Sequence, residues 1–168
     1  MPAEHSRTVS RRSFLLARSR EPDAAIRPPW FDADTRTACT GCNACVEACP
    51  ESILALGPDA VPAVGLNGGA CTFCGACAEA CDAGVFDTGR VPPWNVTVAL
   101  DPGCLMDLGI SCRLCTDACD SSALVFDARG GVVGALRVDA DRCTGCGACV
   151  GLCPAEVLRL DAREREAA

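Results

Sequence analysis

The chain has 168 residues, and sixteen of them are cysteines arranged in four groups of four. The first group is Cys39, Cys42, Cys45 and Cys49, and the second is Cys71, Cys74, Cys77 and Cys81. The third is Cys104, Cys112, Cys115 and Cys119, and the fourth is Cys143, Cys146, Cys149 and Cys153. Groups one, two and four share the spacing C-x2-C-x2-C-x3-C. Group three keeps the last three positions, but its first Cys stands eight residues ahead of the second. Three thiolates this close together wrap one loop around three corners of an object. The fourth, three residues on, faces away from that loop. A [4Fe–4S] cube needs four thiolates, one per iron, and in two-cluster arrangements the fourth Cys of each run ligates the neighbouring cube. All sixteen cysteines are therefore candidate cluster ligands, enough for four [4Fe–4S] clusters.

Two other uses of these thiols compete with iron–sulfur ligation. Zinc ribbons use separated CxxC pairs and knuckles add His, whereas the single His here, His5, lies outside every group. Disulfides fit poorly, because the C-x2-C-x2-C loop is too tight to pair most of its own thiols with good geometry. Iron–sulfur ligation is favoured over both. Gly41, Gly75, Gly145 and Gly147 stand in the loops, where the lack of a side chain lets backbone N–H groups approach inorganic sulfur.

The elements around the groups repeat too. Short apolar stretches precede groups two to four, at 62–66, 95–100 and 136–140. Others follow each group, at 52–56, 84–87, 123–128 and 156–160. Their alternation predicts short strands. The run from third to fourth Cys predicts one helical turn carrying the fourth Cys. Each unit is then strand, cysteine loop, short helix and strand, duplicated at a period of about 32–39 residues. Turn signals join the units at 65–71 and at Gly130-Gly131. The expected fold class is α+β, with tandem bacterial-ferredoxin-like modules of short strands and helices around the clusters. The expected organisation is a basic tail and connector at 1–36, a first module at 37–92, a second at 93–161 and a charged tail at 162–168. Consecutive pairing (one with two, three with four) and nested pairing (one with four, two with three) both remain open. The gaps between groups are similar, and the tendency of sequential elements to be neighbours favours the consecutive scheme.

The formal charge is −7, which argues against a nucleic-acid partner. A 2+ cube with four thiolates adds roughly −2, so the loaded core would be still more acidic. Aromatic residues make up 4% of the chain, too few for a large aromatic core, so the clusters are expected to hold it together. No apolar run approaches membrane-spanning length, and no stable membrane insertion is expected. All fifteen basic residues are Arg, six of them within the first 27 positions. There Ser10 to Leu16 looks like a twin-arginine export signal. Its apolar stretch is only Phe14 to Ala17 before Arg18, however, shorter than an export signal requires. An uncleaved tail is expected instead. Sixteen thiols awaiting iron would be oxidised in a periplasm, so a cytoplasmic location is expected.

Two segments admit two readings each. The insert at 105–111 in group three is either a harmless lengthening that preserves ligation or the mark of a differently tuned cluster. Ile26 to Trp30 is either a rigid connector with Trp30 packed on the first module or a docking element.

Four such groups, the C-x7-C-x2-C-x3-C third group, the Arg pair at the front and Ile26-Arg27-Pro28-Pro29-Trp30 together resemble the NapF family, ferredoxin-type proteins of periplasmic nitrate reductase systems. The resemblance covers about residues 10–160. Asp82 and Asp120 replace the Pro that often follows the fourth Cys. It implies a cytoplasmic protein with four [4Fe–4S] clusters. The implied partner is the unexported precursor of the nitrate reductase catalytic subunit, NapA, and the implied role is accessory maturation of that subunit. No catalytic constellation, phosphate-binding glycine loop or hydride-cofactor fingerprint occurs, so the protein is not expected to be an enzyme. The competing reading is an electron-transfer ferredoxin or the electron-transfer subunit of an oxidoreductase. A weaker third reading is a reservoir that donates clusters.

Overall fold

Between the cysteine groups the apolar stretches are only a few residues long, enough for a strand but too little for a hairpin stable on its own. A computed structural model describes residues 25–66 and 69–163. The arginine pair Arg11-Arg12, the short apolar stretch behind it, and residues 164–168 of the expected tail lie outside the described residues. So do positions 67 and 68 of the expected turn at 65–71.

The strands are β1 (Leu54–Leu56), β2 (Pro62–Val64), β3 (Val96–Leu100), β4 (Leu124–Asp127), β5 (Ala135–Val138) and β6 (Leu158–Ala162). The helices are single turns: α1 (Ala44–Glu47), α2 (Ala76–Glu79), α3 (Leu114–Asp117) and α4 (Ala148–Gly151). A four-residue helix has no stability of its own. Each begins one residue before the third Cys of its group and ends two residues before the fourth. The fourth Cys thus sits just past the helix rather than on it, because the C-cap residue already separates them.

The strands form three antiparallel pairs, β1–β2, β3–β6 and β4–β5. The β1–β2 hairpin lies between groups one and two, and the β4–β5 hairpin between groups three and four. The β3–β6 ladder closes the second half, joining the segment before group three to the segment after group four. Consecutive groups are therefore paired, and the nested alternative is not formed.

In the first half, the equivalent closure shrinks to one bridge. The stretch 84–87, expected as a strand, contributes only the antiparallel bridge Phe31↔Phe86. Backbone bonds from Asp32 N to Val85 O (2.9 Å) and from Asp87 N to Trp30 O (2.8 Å) flank it. Gly84, before the bridge, takes a left-handed φ of 67° and a turn at 88–89 follows it, so the ladder does not lengthen. Phe31 is buried and lies edge-on to Phe86, so the first half begins inside what was expected to be connector. At the other end β6 runs through Ala162, which pairs with Val96. Arg163 donates its backbone N–H to Asn95 O at 3.0 Å, so the ordered body continues two residues into the expected tail.

One apolar cluster spans both halves. Trp94, Val96, Val98, Ala123, Leu124, Leu158 and Leu160 are buried in the second half, and Ile26, Val64, Leu66 and Phe73 of the first half pack against them. The Trp94 indole N–H donates to Thr144 O at 2.9 Å. Replacing Trp94 by Ala should destabilise the protein by about 3–5 kcal/mol through lost burial and a cavity. Replacing it by Phe should cost less, about 1–3 kcal/mol, chiefly from the unsatisfied Thr144 carbonyl. Denaturant unfolding under anaerobic conditions measures both, and an unchanged Trp94→Ala variant would contradict the placement of Trp94 in the core.

Candidate metal centres

Positive φ angles turn each regular cysteine loop back on itself. Between first and second Cys the turn residues are Gly41 (φ 67°), Phe73 (φ 55°) and Gly145 (φ 77°). Between second and third they are Asn43 (φ 71°), Gly75 (φ 81°) and Gly147 (φ 83°). Two left-handed residues spaced two apart curl the backbone so that the first three thiols face one centre. Group three is built differently. Arg113 has φ −129°, and the insert closes its own turns through Asp107 N to Cys104 O (2.9 Å) and Ile110 N to Leu105 O (2.9 Å). Buried Met106 anchors that insert, and Cys104 arrives beside Cys112 and Cys115 by this other route.

The structure gathers the sixteen thiols into four quartets, each with three from one loop and one from the paired group. Cys45 is surrounded by Cys39, Cys42 and Cys81. Cys71, Cys74 and Cys77 face one pocket with Cys49. Cys104, Cys112 and Cys115 face another with Cys153. Cys143, Cys146 and Cys149 face a third with Cys119. Groups thus exchange their fourth cysteines within each half. The last three quartets line pockets of about 370, 370 and 320 Å³ that open partly to solvent.

This geometry fits a cube rather than an ion. All sixteen thiols are free of disulfides. Among the described residues, no three His, Cys, Asp or Glu side chains converge as closely as a single ion requires. Thiols held apart around a pocket match an inorganic core with an iron at each corner. Their electrostatics also call for positive charge. Burial, reinforced by neighbouring thiols, pushes Cys77 and Cys115 up to about 11 and Cys149 up to about 12. Iron would have to displace those protons to bind.

Protein donors reach some of the sulfurs. Val98 N–H donates to Cys143 Sγ at 3.4 Å and Ala123 N–H to Cys119 Sγ at 3.2 Å. Ser121 Oγ lies 3.5 Å from Cys119 Sγ. Burial of Cys119 opposes its ionisation, but the Ser121 hydroxyl and backbone N–H groups outweigh that and lower its pKa. These donors were not evident in the sequence. Ser121 is one of two adjacent serines after group three, and nothing in its spacing marks it.

Ile26 to Trp30 has packing partners. Ile26 O accepts from Val64 N at 2.8 Å, and Arg27 donates to the Val61 and Pro62 carbonyls at 3.2 Å. Pro28 and Pro29 are buried, and with Trp30 they line the group-two pocket.

A family model described as a 4Fe-4S dicluster domain matches residues 38–85 and again 110–157, one match per half. The ferredoxin-type protein NapF of Escherichia coli (strain K12) is 34% identical over 155 residues, spanning 91% of this chain and 94% of that protein. The chain belongs to the NapF ferredoxin-type family. Its relative of the same name in Haemophilus influenzae is 36% identical over 151 residues, 89% of this chain and 86% of that one. The methylamine utilization ferredoxin-type protein MauM of Methylophilus methylotrophus is 28% identical over 167 residues, 87% of this chain and 74% of that one. The dicluster matches and the thiol quartets together make this family member a [4Fe–4S] iron–sulfur protein of α+β, ferredoxin-like modules. Among the described residues, no helix is long and apolar enough to cross a membrane.

Two predictions follow from the quartets. Cys49→Ala should damage the centre built on the group-two loop, and Cys81→Ala the one built on the group-one loop. Combining Cys49→Ala with Cys74→Ala should then cost no more iron than either alone, whereas Cys49→Ala with Cys42→Ala should cost twice as much. Iron and acid-labile sulfide assays read this directly, and the reverse pattern would contradict the exchange. Separately, Ser121→Ala removes a donor to a thiolate. A donor stabilises the more negative, reduced centre, so one potential should move to a more negative value in an EPR-monitored redox titration.

Proposed function

We propose that this chain is a cytoplasmic protein with four [4Fe–4S] clusters that acts on the precursor of a periplasmic nitrate reductase catalytic subunit, NapA, as an accessory or maturation factor before export. The observation that carries the reading is likeness over nearly the full length of NapF proteins, combined with four complete thiol quartets. The sixteen cysteines in the groups given above are assigned as the ligands, four to each cluster. Bound [4Fe–4S] clusters supply one-electron storage and release.

The chain's own residues supply the rest. The left-handed loop residues aim the thiols, apolar residues such as Val98, Leu124 and Leu160 line the group-four pocket, and Val98, Ala123 and Ser121 present donors to sulfur. The role proposed for them is electron or cluster delivery. The cytoplasm keeps thiols reduced while the clusters are assembled.

A second reading, a general electron-transfer ferredoxin or subunit, is favoured by the likeness to MauM, a methylamine utilization ferredoxin-type protein. The two readings part on partner choice. Anaerobic purification should yield about sixteen iron atoms per chain. The purified protein should capture the unexported precursor of the catalytic subunit and leave the exported form unbound. Electron delivery to an unrelated acceptor with no precursor capture would favour the second reading. A colourless, iron-poor and well-folded preparation would remove both.

A further inference from the structure

Phe73 occupies the loop position that Gly41 and Gly145 occupy in groups one and four, yet it keeps the same left-handed backbone, with φ 55°. An aromatic residue is strained in that conformation, so something must hold it there. The holders come from both sides of the junction between halves. Its ring meets Trp30 edge-on at 6.4 Å and Trp94 edge-on at 5.9 Å. Trp94 in turn donates to Thr144 O in the group-four loop. Beside this ladder, Cys71 N–H donates to Cys146 O at 2.7 Å, joining a group-two ligand residue directly to a group-four ligand residue. Gly147 completes the approach. A Cβ there would come within 2.3 Å of the Leu66 methyl, so the group-four loop packs closely against the first half.

We propose that Phe73 is a positioning residue that locks the group-two loop onto the group-four loop, making these two centres the pair through which electrons cross between the halves. The order along the molecule is then group one, group two, group four, group three. Chain order does not predict this. The cysteines nearest in sequence across the halves are Cys81 and Cys104, and they belong to the two end centres. In the crossing, one electron leaves a reduced 1+ cluster and reduces an oxidised 2+ neighbour, with no bond made or broken and no proton moved. The proposal rests on the iron–sulfur electron-transfer reading and adds the route and the residue that sets it.

The test uses the full chain, purified without oxygen, with iron and sulfide counted and EPR spectra recorded on stepwise reduction with dithionite. Phe73→Gly supplies the residue that groups one and four already use, so it should keep all its iron. The spin–spin splitting between halves should shrink several-fold, and Phe73→Tyr should restore it. Cys143→Ala with Cys146→Ala removes the group-four centre, and the group-three signal should become narrow and additive with the first half's. Cys104→Ala with Cys112→Ala removes only an end, and the splitting between halves should persist. A group-three signal still split after loss of the group-four centre overturns the order. Unchanged splitting in Phe73→Gly overturns the role of Phe73. Should the ligand variants fail to hold iron, Phe73→Gly decides alone, because it removes no thiol. An intact protein with its full iron but no reducible cluster would defeat the electron-transfer reading instead, a result distinct from either of these.

Discussion

The exchange of fourth cysteines is the constraint on which the rest of the molecule depends. Four-residue helices and strands of three to five residues bury too little to order one another. A thiol quartet that draws three ligands from one loop and one from the neighbouring cysteine group closes each half as a cross-link would. The apolar residues then fill the spaces the cross-links define. The buried side chains Val85, Val98, Leu124 and Leu158 lie on strands or turns that lead directly into or out of a cysteine loop. Metal-linked loops do here what a larger apolar core does elsewhere, and binding free energy becomes folding free energy.

Much of this was legible in the sequence, because ligand spacing is a local property. The four groups, the single helical turns and most strands follow from cysteine positions and apolar alternation. The choice between consecutive and nested pairing was legible only as a preference for sequential neighbours, since the gaps between groups are alike. The hairpins decide it: each is reached by a short turn, so neighbouring groups meet before distant ones can. The bridge at Phe31 and Phe86 escaped notice on one side because a single paired residue leaves no alternation to read. Phe73 escaped because a phenylalanine in an otherwise glycine position reads as ordinary packing. Only its backbone conformation shows that it occupies a costly place.

Group three shows how a quartet survives a rewritten loop. Its Cys104 comes from five residues further out than the regular spacing and the left-handed pair is missing, yet the pocket it shares with Cys112, Cys115 and Cys153 is as large as that of group two. The insert spends its length on internal turns anchored by Met106 and so carries its own support. That favours the ligation-preserving reading of the insertion. The environment is nonetheless changed. Arg113, next to a ligand, lies over the Phe126 ring at 4.4 Å, where the regular loops have Asn or Gly. A cation one residue from a thiolate is one of the levers by which a protein sets a cluster's potential.

The two halves are closed unequally, and this gives the connector a structural meaning. The second half has a five-pair ladder between β3 and β6; the first has one bridge. What the first half lacks in ladder it recovers from Ile26 to Trp30, which runs beside β2, buries two prolines against the group-two pocket and sends the Trp30 N–H to Pro93 O at 2.6 Å. Proline suits this path because the segment ends in a turn, with Phe31 N–H donating to Pro28 O at 3.2 Å and Trp30 at φ 62°, and the fixed φ of proline lowers the entropy lost on ordering. The same segment that completes the first half therefore also touches the chain leading into the second. A docking role for Trp30 would have to compete with these contacts, whereas packing is consistent with all of them.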